Sequence, residues 1–213
     1  MTTLHDYFRS SAAFRVRIAL ALKGLAFDRA FVHLRKGEQA SPAYTAKNPQ
    51  QVIPTLEIDD LVLTQSLAII EYLDETRPTP PLLPRDPAGR ARVRALALAI
   101  ACEIHPLNNT RVLAYLGGPL KLAEDQRNAW YAHWVTIGFQ AIESMLVASP
   151  ATGRFCHGDA PTLADICLVP QVFNAKRFNV TTAPYVRLMR VFDACMALPA
   201  FDGAQPSKQP DAE

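Results

Sequence analysis

Arg9, Ser10 and Ser11 stand together immediately ahead of the apolar run "AAFRVRIALALKG", which reads as a helix stopping at Lys23-Gly24. A helix N-terminus gathers unpaired N–H groups and positive partial charge, so it suits an anion. Most helices place an acid there, but this one has Arg9, Arg15 and Arg17 and no Asp or Glu. Two readings are open. Ser10 or Ser11 is an ordinary N-cap with solvated arginines around it, or a serine hydroxyl donates to a bound thiolate, phosphate or carboxylate.

Other residues offer related chemistry. Pro54 opens a strand-like run, where proline is tolerated; a cis Ile53-Pro54 bond would instead leave the Ile53 N–H and C=O to pair with an extended peptide. Gln65-Ser66 begins a later helix, so Ser66 is a cap, or both side chains and the first N–H groups hold a carboxylate. These three features would face one groove at the carboxyl ends of strands. In "IHPLNNTRV", Pro106 interrupts a helical pattern and predicts a kink. His105, Asn108, Asn109 and Arg111 are then candidates to line a cleft, with a solvated face as the alternative. Arg177 near a helix end has the plain reading of a cation at a C-terminus. Thr162 and Asp165 have capping-box spacing, a structural feature worth about 1 kcal/mol.

The elements that position these groups follow from pattern. Thr2 to Phe8 is β-prone, and Phe27 to Leu34 is a second strand; β-α-β at this spacing predicts a right-handed crossover and a parallel pair. Residues 35–51 are polar, with at most a short helix. Thr55 to Ile58 and Leu61 to Leu63 read as strands joined by an Asp59-Asp60 hairpin turn, and "LAIIEYLDET" as an amphipathic helix. "RPTPPLLPRDPAG" is a proline-rich linker. Beyond it the pattern is helical: Arg90 to Leu116, Ala123 to Val147, Thr162 to Phe178 and Val186 to Leu198. The fold class is therefore α/β plus all-α, with an α/β domain over 1–80, a linker over 81–88 and an all-helical domain over 89–213. The residues from Pro199 read as a loosely packed tail.

Composition removes several alternatives. The 213 residues suffice for two small domains, and 22 Lys and Arg against 20 Asp and Glu give no reason to expect nucleic acid or an anionic membrane. The four cysteines have no metal or redox spacing, and with no signal peptide they fit a reducing cytoplasm. The five histidines are scattered, so no metal site is expected. No apolar run reaches the ~18 residues of a membrane helix.

Taken together, "SSAAFRVRIALALKG", "NPQQVIPTL", "QSLAIIEYL", "TLADICLVPQ" and a final "QPD" resemble the zeta class of glutathione transferases along nearly the whole chain. The resemblance implies a thioredoxin-like N-terminal domain, an all-helical C-terminal domain and a homodimer. It implies glutathione as cofactor, and a small dicarboxylate as substrate: a maleyl diketo acid, maleylpyruvate or maleylacetoacetate, isomerised to its fumaryl form. By the same resemblance Ser10, with Ser11 beside it, faces the glutathione thiolate, and Ile53-Pro54 pairs with the cysteinyl backbone. Gln65 and Ser66 hold the γ-glutamyl end, while Gln39, His105, Asn109, Thr110 and Arg111 contact glutathione. Arg9 and Arg177 serve the substrate, with Arg111 a further candidate. One position departs: the class usually reads Ser-Ser-Cys, and this chain has Ala12. Bacterial maleylpyruvate isomerases share that loss and an arginine at the position of Arg111, which tilts the expected substrate towards maleylpyruvate. The rival readings are a transferase acting on small halo-acids and a non-enzymatic binding module of the same fold.

Overall fold

Short runs of alternating residues become a four-stranded sheet in the computed structural model, which describes residues 1–213. Strand β1 (Thr3–Asp6), helix α1 (Ser11–Leu22) and strand β2 (Asp28–Phe31) form a β-α-β unit whose two strands are parallel. A short helix α2 (Pro42–Thr45) follows in the polar segment. Strands β3 (Thr55–Ile58) and β4 (Leu61–Thr64) are antiparallel, and both turn residues, Asp59 and Asp60, have positive φ (51° and 61°). That is the backbone a tight two-residue hairpin requires. Helix α3 (Ser66–Thr76) then packs beside α1.

The sheet order is β2-β1-β3-β4. His5 pairs with Thr55, Thr55 with Thr64, and Asp6 with Phe31. The segments leaving β1, β2 and β4 and the one entering β3 therefore all come off one end of the sheet. This register decides which residues can share a site.

The arginines of α1 are not solvated. Arg15 and Arg17 are both buried. Arg17 Nη1 lies 2.6 Å from Asp6 Oδ1, Nη2 donates to the Phe8 carbonyl at 3.0 Å, and Nε donates to the Ala204 carbonyl at 3.0 Å. Lys23 is likewise enclosed, donating to Asp74 Oδ1 (2.7 Å) and to the carbonyls of Arg77 (2.7 Å) and Pro80 (2.5 Å). The sequence shows no acid near α1 because its neutralising partners arrive from other elements.

The remaining elements are α4 (Pro87–Leu98), a π-helical segment Ala99–Ile104, α5 (Thr110–Gly117), α6 (Glu124–Val147), α7 (Leu163–Arg177), α8 (Val186–Met196) and the short α9 (Pro199–Asp202). The chain divides into two compact units, Met1–Leu82 with Leu198–Glu213, and Leu83–Ala197. The end of the chain thus corrects the expected loose tail. Phe201 is fully buried, Gln209 is buried, and α9 packs on α1. A large apolar ring has to be covered, and Arg17 needs the Ala204 carbonyl.

In the second unit the helix expected from Arg90 to Leu116 is broken twice. It widens into the π-helical segment, passes through a tight turn at Pro106–Asn108, and restarts at Thr110 with Asn109 as cap. Pro106 supplies no N–H to continue the ladder. Helix α7 is buried on nearly all sides. The buried Asp165 accepts from the Thr162 N–H and hydroxyl (2.8 Å each) and from the Cys156 N–H (2.8 Å). Glu143 of α6 caps α8 by accepting from the Arg187 and Leu188 N–H groups at 2.8 Å. No helix is long and apolar enough to cross a membrane.

Gly138 is where α6 meets the π-helical segment. A Cβ there would stand 2.2 Å from Cδ1 and 2.3 Å from Cγ1 of the buried Ile104. Gly138→Ala is therefore expected to destabilise the protein by about 1–3 kcal/mol through overpacking, read as a lower urea midpoint; an unchanged midpoint would show that Ile104 has room to move.

Candidate active site

Ser10 is the N-cap of α1, with extended backbone (φ −69°, ψ 114°), and its Oγ accepts from the Ala13 N–H at 3.2 Å. Capping uses a lone pair of the oxygen and leaves the hydroxyl proton to donate elsewhere. The same atom can cap the helix and stabilise an anion. Ser11 is the first helical residue and is buried, whereas Ser10 is half-buried. Arg9 places its guanidinium 4.8 Å from the centre of the Phe8 ring.

The Ile53-Pro54 bond is cis. Neither the N–H nor the C=O of Ile53 pairs with another main-chain group. The loop ahead of it is fixed by two residues that the sequence did not single out. The Asn48 amide donates to the Val52 carbonyl at 2.7 Å, and the Tyr44 hydroxyl donates to that carbonyl at 2.8 Å. With its one proton used there, Tyr44 accepts from the Thr55 hydroxyl at 2.9 Å.

At the start of α3 the expected roles change. Ser66 does not cap: it is the first helical residue, buried, and its Oγ accepts from Arg15 Nε at 3.0 Å. The N-cap position belongs to Gln65, which has φ 66° and ψ 113° and makes no side-chain cap bond. A non-glycine residue held at positive φ is the kind of strain that collects at ligand sites. The Gln65 amide donates to Gln50 Oε1 at 2.6 Å. No side chain of the N-cap residue occupies the first N–H groups of α3, the kind of helix end that suits an anion. Gln39, in the segment after β2, has its carboxamide oxygen enclosed without a protein partner. The strand register brings the segments that carry Ser10, Ile53-Pro54 and Gln65-Ser66 to the same end of the sheet, the end from which the chain leaves β2 towards Gln39.

In the helical unit, His105 ends the π-helical segment, its N–H bonded to the Ile100 carbonyl at 2.9 Å. Asn109 caps α5 by accepting from the Arg111 N–H at 3.1 Å, which leaves its amide nitrogen to donate. Thr110 and Arg111 are exposed. Asn108 departs from the expected cleft position: it is buried and its amide donates to the Tyr131 carbonyl at 3.4 Å. Arg177 is exposed at the last residue of α7, its guanidinium 5.2 Å from the centre of the Phe178 ring. That ring stacks on Tyr131 at 3.7 Å and 13°.

Comparison with known proteins gives this arrangement a family. Residues 1–75 match the glutathione S-transferase N-terminal domain. A probable maleylacetoacetate isomerase of Vibrio cholerae serotype O1 is 48% identical over 211 residues, 98% of this chain and 97% of its own. The solved holo structure of maleylpyruvate isomerase, a bacterial glutathione S-transferase in the zeta class, superimposes with TM-score 0.97 at 48% identity, covering 99% of this chain and 100% of that one. The chain belongs to the zeta class of glutathione transferases. A maleylacetoacetate isomerase from Methylobacterium extorquens AM1, solved with bound malonate and glutathione, has TM-score 0.96 and 41% identity, with 99% of both chains covered. As in its class, this zeta-class chain joins a thioredoxin-like sheet domain to a helical one. Ala12 is half-buried in the first turn of α1.

Proposed function

We propose that this zeta-class chain is a glutathione-dependent cis–trans isomerase of a maleyl diketo acid. The observation that carries the reading is the Ser10 hydroxyl. It caps α1 through its oxygen, keeps its proton to donate, and shares one end of the sheet with Gln65-Ser66. The residues present fit glutathione: unpaired main-chain groups at Ile53, open N–H groups on α3 and the enclosed carboxamide oxygen of Gln39. Glutathione, when bound, supplies a thiolate that adds to the cis double bond, allows rotation about the resulting single bond and leaves as the trans bond re-forms.

The protein's part is to make and hold that thiolate. An ordinary thiol has a pKa near 8.5, so only a few per cent is ionised at pH 7. Lowering it by about two units takes roughly 2.7 kcal/mol. A hydroxyl hydrogen bond to an ion contributes ~1.5–3 kcal/mol and the α1 terminus ~0.3–1 kcal/mol. The chain's own buried thiols are unsuited to the task. Burial and the neighbouring Asp165 push Cys156 and Cys195 well above the usual thiol range.

Gln65 and the α3 N–H groups receive the γ-glutamyl carboxylate, Ile53 pairs with the cysteinyl main chain, and Ser66 is held in place by Arg15. Gln39, His105, Asn109, Thr110 and Arg111 complete the glutathione contacts. Arg9 and Arg177 bind the substrate's carboxylates and the negative charge that develops during addition, a task suited to planar, multiply donating guanidinium groups. Ala12 and Arg111 favour maleylpyruvate over maleylacetoacetate, a choice settled by comparing kcat/KM on the two acids. We further place the enzyme in the cytoplasm as a homodimer. Cys102, Cys156 and Cys195 form no disulfide, as in a reducing compartment, and edge strand β4 exposes Leu61 and Val62.

Arg177→Ala tests the substrate assignment. It is expected to raise KM for the maleyl acid about tenfold or more, the size of one lost charge-assisted contact, while KM for glutathione stays within about twofold. Equal effects on both would remove Arg177 from the substrate.

A further inference from the structure

The turn that carries Ser10 is clamped by groups from far along the chain. Phe8 stands two residues before Ser10, and both of its main-chain polar groups are held by side chains. Its N–H donates to Asp211 Oδ2 at 2.9 Å and its C=O accepts from Arg17 Nη2 at 3.0 Å. The Ser10 N–H closes the turn onto the Tyr7 carbonyl at 2.8 Å. Arg17 is gripped by the same returning segment through the Ala204 carbonyl. Asp211 arrives on a folded arm: Phe201 and Gln209 are buried, and the Gln209 amide donates to the carbonyls of Gly203 (3.0 Å) and Gln205 (2.8 Å).

Holding the Phe8 N–H with a carboxylate comes at a cost. Asp211 lies close enough to the buried Asp6 to repel it, helping to raise the Asp6 pKa, though burial is the larger cause. An amide would accept the same bond without that repulsion.

We propose that Asp211 is a positioning residue for the thiolate site: by holding the Phe8 N–H it sets the turn that aims the Ser10 hydroxyl. This rests on the reading of Ser10 given above. Asp211 acts through Phe8 and touches no reacting atom.

The test compares Asp211→Ala with Asp211→Asn, which keeps an oxygen acceptor, in the full-length protein. In the ligand-free protein, amide hydrogen exchange over Phe8 to Ser11 is expected to be about tenfold or more faster in the alanine variant and unchanged in the asparagine variant. With glutathione bound, the thiol pKa read from thiolate absorbance is expected to rise by about one unit in the alanine variant, with about a tenfold lower kcat at pH 7. The asparagine variant should match wild type in both and unfold at no lower temperature. If alanine leaves both exchange and thiol pKa at wild-type values, or asparagine is as impaired as alanine, the assignment is overturned. Should the alanine variant not fold, Asp211→Ser, which lacks the reach to the Phe8 N–H, takes its place with the same expected values. Ser10→Ala measured alongside separates the two ideas: if it too leaves the thiol pKa unchanged the serine reading fails, while faster exchange in the alanine variant still reports the clamp.

Discussion

Ser10→Ala is expected to lower isomerase turnover at pH 7 by about 10- to 100-fold while glutathione still binds. The hydroxyl is the donor assigned to the thiolate, and a hydrogen bond to an ion is worth ~1.5–3 kcal/mol, or about one to two units of thiol pKa. The thiolate fraction at pH 7 falls in proportion, and turnover falls with it. Binding is expected to persist because the proposed site assigns other parts of the tripeptide to Ile53, Gln65 and the α3 terminus. The substitution also deletes the α1 cap, since Ser10 Oγ accepts from the Ala13 N–H, at a cost of ~1 kcal/mol in stability. Ser10→Asp separates the two roles. Aspartate caps as well as serine, so stability should recover, yet an ionised carboxylate donates no proton and repels a thiolate, so activity should stay low. Wild-type turnover in either variant would take the thiolate away from Ser10.

The largest effect on stability is expected at Arg17. Replacing it with methionine strands Asp6 as a buried carboxylate and leaves the Phe8 and Ala204 carbonyls without their donor. Removing one partner of a buried pair costs ~3–5 kcal/mol, a large share of the ~5–15 kcal/mol that holds an ordinary domain. The loss should depend on pH with a definite sign. Asp6 already has a raised pKa, chiefly from burial, with Arg17 pulling it down. Without Arg17 it rises further, so the folded state binds a proton the unfolded state releases. Stability contributed in that way is present at acid pH and lost as pH rises through the folded pKa. The penalty of Arg17→Met, read from urea midpoints, should therefore shrink between pH 7 and pH 5. A penalty that is small at pH 7, or that grows as pH falls, contradicts the buried pair. Replacing Asp6 with leucine in the same chain should recover much of the loss.

How far such residues are legible in the sequence depends on where their partners come from. The β3–β4 hairpin was plain because alternation and the Asp59-Asp60 turn are local signals. Lys23-Gly24 was legible as a helix stop for the same reason: Gly24 takes a positive φ of 65°. Solvation of Arg15 and Arg17 stays open in the sequence, as one of two readings, because the atoms that bury them, on Ser66, Asp6 and Ala204, lie elsewhere in the chain. Ser66 read as a cap because its contact with Arg15 spans 51 residues. The final segment read as loose because Pro, Ala, Gln and Asp outweigh one phenylalanine in composition, yet Phe201 and Asp211 are what dock it. Pro106 announced a break, but nothing local announced the π-helical turn before it. Tyr44 and Asn48, which fix the approach to Pro54, belong to no motif. The function is legible only in several motifs taken in one order, because each single motif has an equally good structural explanation.

The central claim is that glutathione acts as a borrowed and returned nucleophile. Incubating the purified protein with a maleyl diketo acid and substoichiometric glutathione, while following the ultraviolet change and the free thiol together, tests it most directly. Complete conversion to the fumaryl isomer with the thiol undiminished, and no conversion without glutathione, is expected. Loss of thiol in step with substrate would make the enzyme a conjugating transferase, and no conversion at all would contradict the isomerase.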